Sequence, residues 1–179
     1  MMRKKKLKLQ ISLPRNERND ELLQDIEKAA KFFLDKLMSK RLQNTLSIKI
    51  HVRKTTLGTN VNGMHFSDAN GCDRQREHKI ILKDNDWNMF ETLAHELVHV
   101  QQSASKRLQY RYWKSDHQLH VRWEGKELGK KDLIPYRQRP WEVEAFDLAN
   151  KLHSEFHRKW KTEMIDQMFQ EELRKQQSA

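Results

Sequence analysis

Two histidines four residues apart, with a glutamate between them, are the residues of this chain whose types and spacing could do chemistry: His95-Glu96-Leu97-Val98-His99. On a helix, residues four apart share a face, so both imidazoles project to one side about 5–6 Å apart at Cβ, the spacing that a single Zn²⁺ needs. Glu96 is rotated too far round the helix to be an easy third ligand. Its longer side chain can reach a water held on the metal, which places it as a general base.

The surrounding run, WNMFETLAHELVHVQQ, carries helical periodicity. Phe90, Ala94, Leu97 and Gln101 form one row, and Thr92, His95, His99 and Gln102 form another. The first, mostly apolar, faces a core and the second a cleft. The helix is predicted to start at Asp86 or at Asn88, the latter with Glu91 three residues on as a capping box.

A third ligand is sought on a later helix, whose first turn suits Pro140. Ala145, Leu148, Ala149, Leu152 and Phe156 make its buried stripe, and Glu142 lies on the same row as Ala145, Ala149, Leu152 and Phe156. A carboxylate at the end of an apolar stripe needs a partner, because burying it unpaired is costly. A zinc ion held by His95 and His99 would be one. Glu144, on the edge of the stripe, ranks second, and both glutamates could instead serve the helix N-terminus. His153 and His157 also stand four apart, but without a glutamate in the general-base place they read as a solvated face.

Other elements must position these residues. Leu22, Leu23, Ile26, Ala29, Ala30, Phe33, Leu34 and Leu37 predict a scaffold helix from Asn19 to about residue 40. Leu46, Ile48, Ile50 and Val52 alternate as a strand, with His51 on its opposite face. A turn at 58–60 leads to a second strand at 61–67. The Asn70-Gly71 turn signal then pairs that strand with a third, EHKIILK at 77–83, which runs almost directly into the HELVH helix. His65 and His78 read as strand histidines without a metal. The basic aromatic stretch KRLQYRYWK ends the helix or connects it onward, with Tyr110, Tyr112 and Trp113 packing over the core in preference to stacking on bases. HQLHVRWEGKEL predicts a hairpin turning at Glu124-Gly125-Lys126, with Leu119, Val121 and Trp123 inward and His120 on the other face. Tyr136 sits six residues before Glu142 on a loop that could overhang the site, and is the candidate for stabilising an oxyanion.

Composition bounds the rest. The 179 residues suffice for one domain, without an internal repeat, and predict a basic arm at 1–18, a domain at 19–170 and a polar tail at 171–179. The net charge of +10, with a basic cluster at 3–6, favours loose association with polyanions, although no nucleic-acid motif accompanies it. The single cysteine, Cys72, excludes an internal disulfide and a cysteine-based zinc site, which fits a reducing compartment. No apolar region follows the positive N-terminus and no run approaches a membrane span, so a cytoplasmic protein without membrane contact is expected.

HELVH followed by PWEVEAF at 140–146 resembles the zincin metallopeptidases whose third ligand is a glutamate on a later helix. The likeness is greatest to the small H-E-x-x-H proteins of tailed bacteriophages and bacteria described as SprT-like, and it spans roughly residues 46–157. It implies an α+β, zincin-like fold, with a small antiparallel or mixed sheet beside the metal-bearing helix and a C-terminal helix closing the site. It also implies the cytoplasm of a bacterium or of an infected host. In glutamate zincins the ligand commonly precedes an alanine by three residues, as Glu142 precedes Ala145. Many carry an aspartate directly after that alanine, where this chain has Phe146 and then Asp147. The metzincin pattern is excluded by Gln102 and Ser105, whereas SprT proteins take a third histidine after the motif, which keeps His117 and His120 as competitors.

Together these readings lead to the expectation of a Zn²⁺-dependent peptidase with His95, His99 and Glu142 as ligands and Glu96 as base. Its peptide or protein substrate would add as a strand alongside EHKIILK. The alternative is a nucleic-acid-associated protein with a structural zinc and a functional basic surface.

Overall fold

The computed structural model describes residues 6–14, 19–54, 62–67, 76–84 and 88–177. The predicted turns at 58–60 and Asn70-Gly71, Cys72, Asp86 and the basic residues 3–5 lie outside them.

The chain is α+β. Strand β1 (Lys8–Ser12) precedes helix α1 (Asp20–Leu37), a short helix α2 (Lys40–Gln43) and strand β2 (Ser47–Arg53). Strands β3 (Gly63–Ser67) and β4 (Glu77–Lys83) then lead to helix α3 (Met89–Ala104), which carries HELVH. Strands β5 (Leu108–Trp113), β6 (Gln118–Trp123) and β7 (Lys126–Lys130) follow, then 3-10 turns at Lys131–Leu133 and Tyr136–Gln138, and finally helix α4 (Pro140–Gln177).

Four strands form a mixed sheet in the order β1-β2-β4-β3, with β3 antiparallel to β4 and the other pairs parallel. Strand β1 departs from the predicted arm and loop. Leu7, Leu9, Ile11 and Leu13 alternate with polar residues and pack against the core, a period of two that the lysines around it obscure. Strand β4 departs from the expected edge. It is paired on both sides, by β2 and β3, so its backbone has no edge to offer a peptide. Among the described residues, the edge strand packed against the HELVH helix is β3.

Helix α1 starts as its sequence dictates, with the Asn19 side chain accepting from the N–H groups of Glu21 and Leu22. Asn88 makes no such side-chain bond to α3, so the expected capping box is not formed. Ile26, Ala30, Phe33 and Leu34 of α1, Ile48 and Ile50 of β2, Ile80 and Leu82 of β4, and Leu93 and Leu97 of α3 share one core with Ala145, Ala149, Leu152 and Phe156 of α4. Helix α3 is therefore gripped between sheet and helices.

Strands β5, β6 and β7 make a second, antiparallel sheet, in which the stretch expected to end the helix is a strand. The predicted hairpin is present, with its turn at Glu124-Gly125, where both residues have positive φ. Leu108 and Val121 of this sheet enclose Trp141 at the head of α4. The predicted polar tail at 171–179 instead continues α4 through Gln177. Among the described residues, no helix is long and apolar enough to cross a membrane.

Candidate metal centre

The helical spacing of His95 and His99 brings their Nε2 atoms to 3.1 Å from each other. Helix α4 crosses so that Glu142 Oε2 lies 3.4 Å from His95 Nε2 and 3.3 Å from His99 Nε2. Tetrahedral ligation with bonds of about 2.0–2.1 Å would separate ligand atoms by about 3.3 Å, so the three sides of this triangle fit one cation. Glu142 Oε2 is buried without a hydrogen-bond partner. Its other oxygen accepts from the Trp141 indole N–H at 3.1 Å, which turns Oε2 toward the histidines. A buried carboxylate oxygen aimed at two imidazole nitrogens, with no hydrogen-bond partner of its own, is a donor group that could hold a metal ion. Two imidazoles and a carboxylate suit a first-row divalent cation.

Charge within the triad follows from this proximity. Burial alone would raise the pKa of Glu142, but the two imidazoles and the Tyr136 phenol outweigh it and hold the carboxyl well below its usual range. Burial would lower His99, but Glu142, Glu96 and Gln102 reverse that and raise it.

Gln102, which the sequence placed only in the histidine row, orients His99. Its Oε1 accepts from His99 Nδ1 at 2.8 Å, while its Nε2 donates to Trp141 O and to Glu144 Oε2, both at 2.9 Å. The amide is fixed by its two acceptors, so its oxygen faces the ring and the lone pair of His99 Nε2 is left for a metal. Glu144, the second-ranked ligand, points away from the triad. Its Oε1 accepts from Arg107 at 2.8 Å, and the same guanidinium binds Glu124 at 2.6 Å.

His95 is held differently. Its Nδ1 is buried without a hydrogen-bond partner, and Phe146 packs on its ring at a centroid distance of 4.6 Å. Phe146 braces the imidazole by contact alone.

The competing ligands are elsewhere. His120 belongs to β6, is buried contrary to expectation, stacks on Trp113 at 4.0 Å and bonds Asp116 at 2.8 Å. His117 bonds the exposed Tyr112. His51 bonds Ser12 across β1 and β2. His95, His99 and Glu142 form the one such donor group among the described residues.

Glu96 is buried beside the triad, and burial and the Glu142 charge raise its pKa against the pull of both histidines. It lines a cleft of about 570 Å³ with Gly63, Thr92, His95, Tyr136 and Phe146. Gly63 is the point of closest approach: a Cβ there would stand 2.5 Å from Thr92 Cγ2 and 2.9 Å from Glu96 Oε1. Tyr136 lines this cleft, with Arg139 over its ring and its phenol near Glu142; burial and that charge keep the phenol protonated.

His65 was not expected near the site. In the sheet register it lies across from Ile80 and so shares the helix-facing side, where it bonds His78 at 3.0 Å and stacks on His99 at 6.3 Å. Burial and the neighbouring histidines hold its pKa well below the ordinary value. The alternation Gly63-His65-Ser67 against Met64-Phe66 was the available signal, but the exposed Phe66 points it the wrong way.

No protein-family model, curated protein or solved structure matches the chain.

Proposed function

We propose that this protein is a zincin-like, zinc-dependent peptidase. The observation carrying this reading is the His95, His99 and Glu142 triangle, with the buried Glu96 carboxylate beside it on an open cleft. Zn²⁺ bound by the triad would supply Lewis acidity at a peptide carbonyl and at water. Glu96 would take the proton of the attacking water and deliver it to the leaving amine; its raised pKa suits both duties. The protonated Tyr136 would donate to the carbonyl oxygen as charge develops there.

Peptide pairing moves from β4 to β3. Lys83 N–H bonds Asn62 O, so with Gly63 opposite Leu82 the alternation of an antiparallel ladder turns the backbone groups of Gly63, His65 and Ser67 toward the open edge. An extended substrate pairing there would lie along the cleft.

The test is metal content together with cleavage of a peptide library. Wild type is expected to hold one zinc per chain, Glu142→Ala to lose it, and Glu144→Ala and His120→Ala to keep it. Glu96→Gln should keep the zinc and lose about 10²–10⁴ in rate. Zinc retained by Glu142→Ala, or normal turnover by Glu96→Gln, would overturn the assignment. The alternative, a structural metal serving a basic surface, requires function to survive Glu96→Gln and nucleic-acid binding that weakens steeply with salt.

A further inference from the structure

The cleft does not end at the triad. It shares Gly63, His95, Glu96 and Tyr136 with a smaller hollow of about 200 Å³, which His65, Tyr110 and Lys131 also line. We propose that this hollow is a carboxylate subsite in which Lys131 is the specificity-determining residue. The inference rests on the peptidase reading and names its substrate class: peptides presenting a carboxylate beside the cleaved bond, either a free C-terminus or an Asp or Glu side chain.

The backbone that carries Lys131 is held in place. It opens the Lys131–Leu133 turn, and Arg139 ties that turn down, donating from Nε to Ile134 O at 3.0 Å and from Nη2 to Lys131 O at 3.4 Å. The ammonium lies 5.2 Å from the centroid of the Tyr110 ring, which itself packs against Trp141 beside Glu142. Among the described residues no carboxylate forms an ion pair with it. The preceding Lys130 has Asp116 at 3.4 Å, whereas the two acids that share the hollow with Lys131, Glu96 and Glu142, belong to the triad and its base.

An ammonium held over an aromatic face beside a divalent-cation site is electrostatically unbalanced, and an incoming carboxylate corrects it while gaining from both cations. The larger arm of the cleft carries the opposite character: among the described residues its lining has Asn62, Asn88 and Glu91 and no lysine or arginine. A peptide laid through both arms is therefore sorted end from end by charge. The hollow is also small, with room for about one residue.

The test uses the full chain loaded with Co²⁺, whose visible spectrum reports occupancy of the triad, and three thiol probes. These are N-mercaptoacetyl-leucine, its amide, and the α-amide of N-mercaptoacetyl-glutamate, which keeps only the side-chain carboxylate. At least one carboxylate probe should bind about tenfold or more tightly than the neutral amide. Lys131→Met should bring that ratio to within about twofold, Lys131→Arg should restore it, and Lys126→Met, on exposed β7, should leave it unchanged. The tighter carboxylate probe identifies the source. Equal binding of all three probes to the cobalt protein, or a preference that survives Lys131→Met, would overturn the subsite and leave the peptidase reading standing. Failure of Co²⁺ to occupy the triad would remove both.

Discussion

At the scale of single residues, the centre depends on neighbours that touch no ligand atom. Gln102 fixes the His99 ring through one bond and is itself fixed by two, so Gln102→Leu is expected to lower metal affinity by about 10–100-fold while the triad remains in place. Competition with a metal-binding dye measures it, and unchanged affinity would show that packing alone orients the ring. Gly63 acts on Glu96 instead. Gly63→Ala puts a methyl 2.9 Å from Glu96 Oε1 and should spare metal content while cutting turnover at least tenfold; full turnover would mean that the carboxylate has room to move. The histidine pair and Glu142 were legible in the sequence because helical spacing and an unpaired acid on an apolar stripe are local signals. Gly63 and His65 were not, because their approach to α3 is set by register across β3 and β4. Lys131 was hidden for a related reason: its place is set by the turn after β7, not by its own segment.

At the scale of elements, the chain's order of helix, strands and HELVH helix was readable, but neighbour order within the sheet was not. A strand's own pattern tells which face is buried and says nothing about which strand lies beside it. β4 shows the consequence, since Ile80 is fully buried with partners on both sides. Ile80→Pro is therefore expected to abolish folding, seen as loss of the cooperative thermal transition, because it removes a ladder donor and core packing together. A folded Ile80→Pro protein with selectively impaired peptide binding would return the substrate to β4. β1 was missed for a different reason. Its lysines read as an arm, although Leu9 and Ile11 pair in register with Ile48 and Ile50 and cover the edge of the core.

At the scale of the molecule, the triad joins α3 to α4, and α4 is the element whose extent the sequence understated. Its 38 residues span about 57 Å, yet among the described residues the buried ones run from Trp141 to Phe156, with Trp160 packing partly behind them. Beyond that point Met164, Ile165, Met168 and Phe169 are exposed, so the stripe that betrayed Glu142 fades before the helix ends. The half of α4 that bears Glu142 is held by the core, and a metal on the triad would stabilise it further, whereas the distal half would gain from neither. Ligand binding to the folded state alone contributes RT ln(1 + [L]/Kd), about 2.7 kcal/mol at a free metal concentration of 100 Kd. For a domain of this size that corresponds to a rise in Tm of roughly 5–11 °C. A chain ending at Met164 should melt within a few degrees of the full-length apoprotein and gain the same increment on adding Zn²⁺, whereas Glu142→Ala should gain little in either length of chain. Scanning calorimetry of the four proteins, with and without metal, separates the contributions. An increment that disappears on truncation would make the distal helix part of the metal centre, against the burial that ends near Trp160.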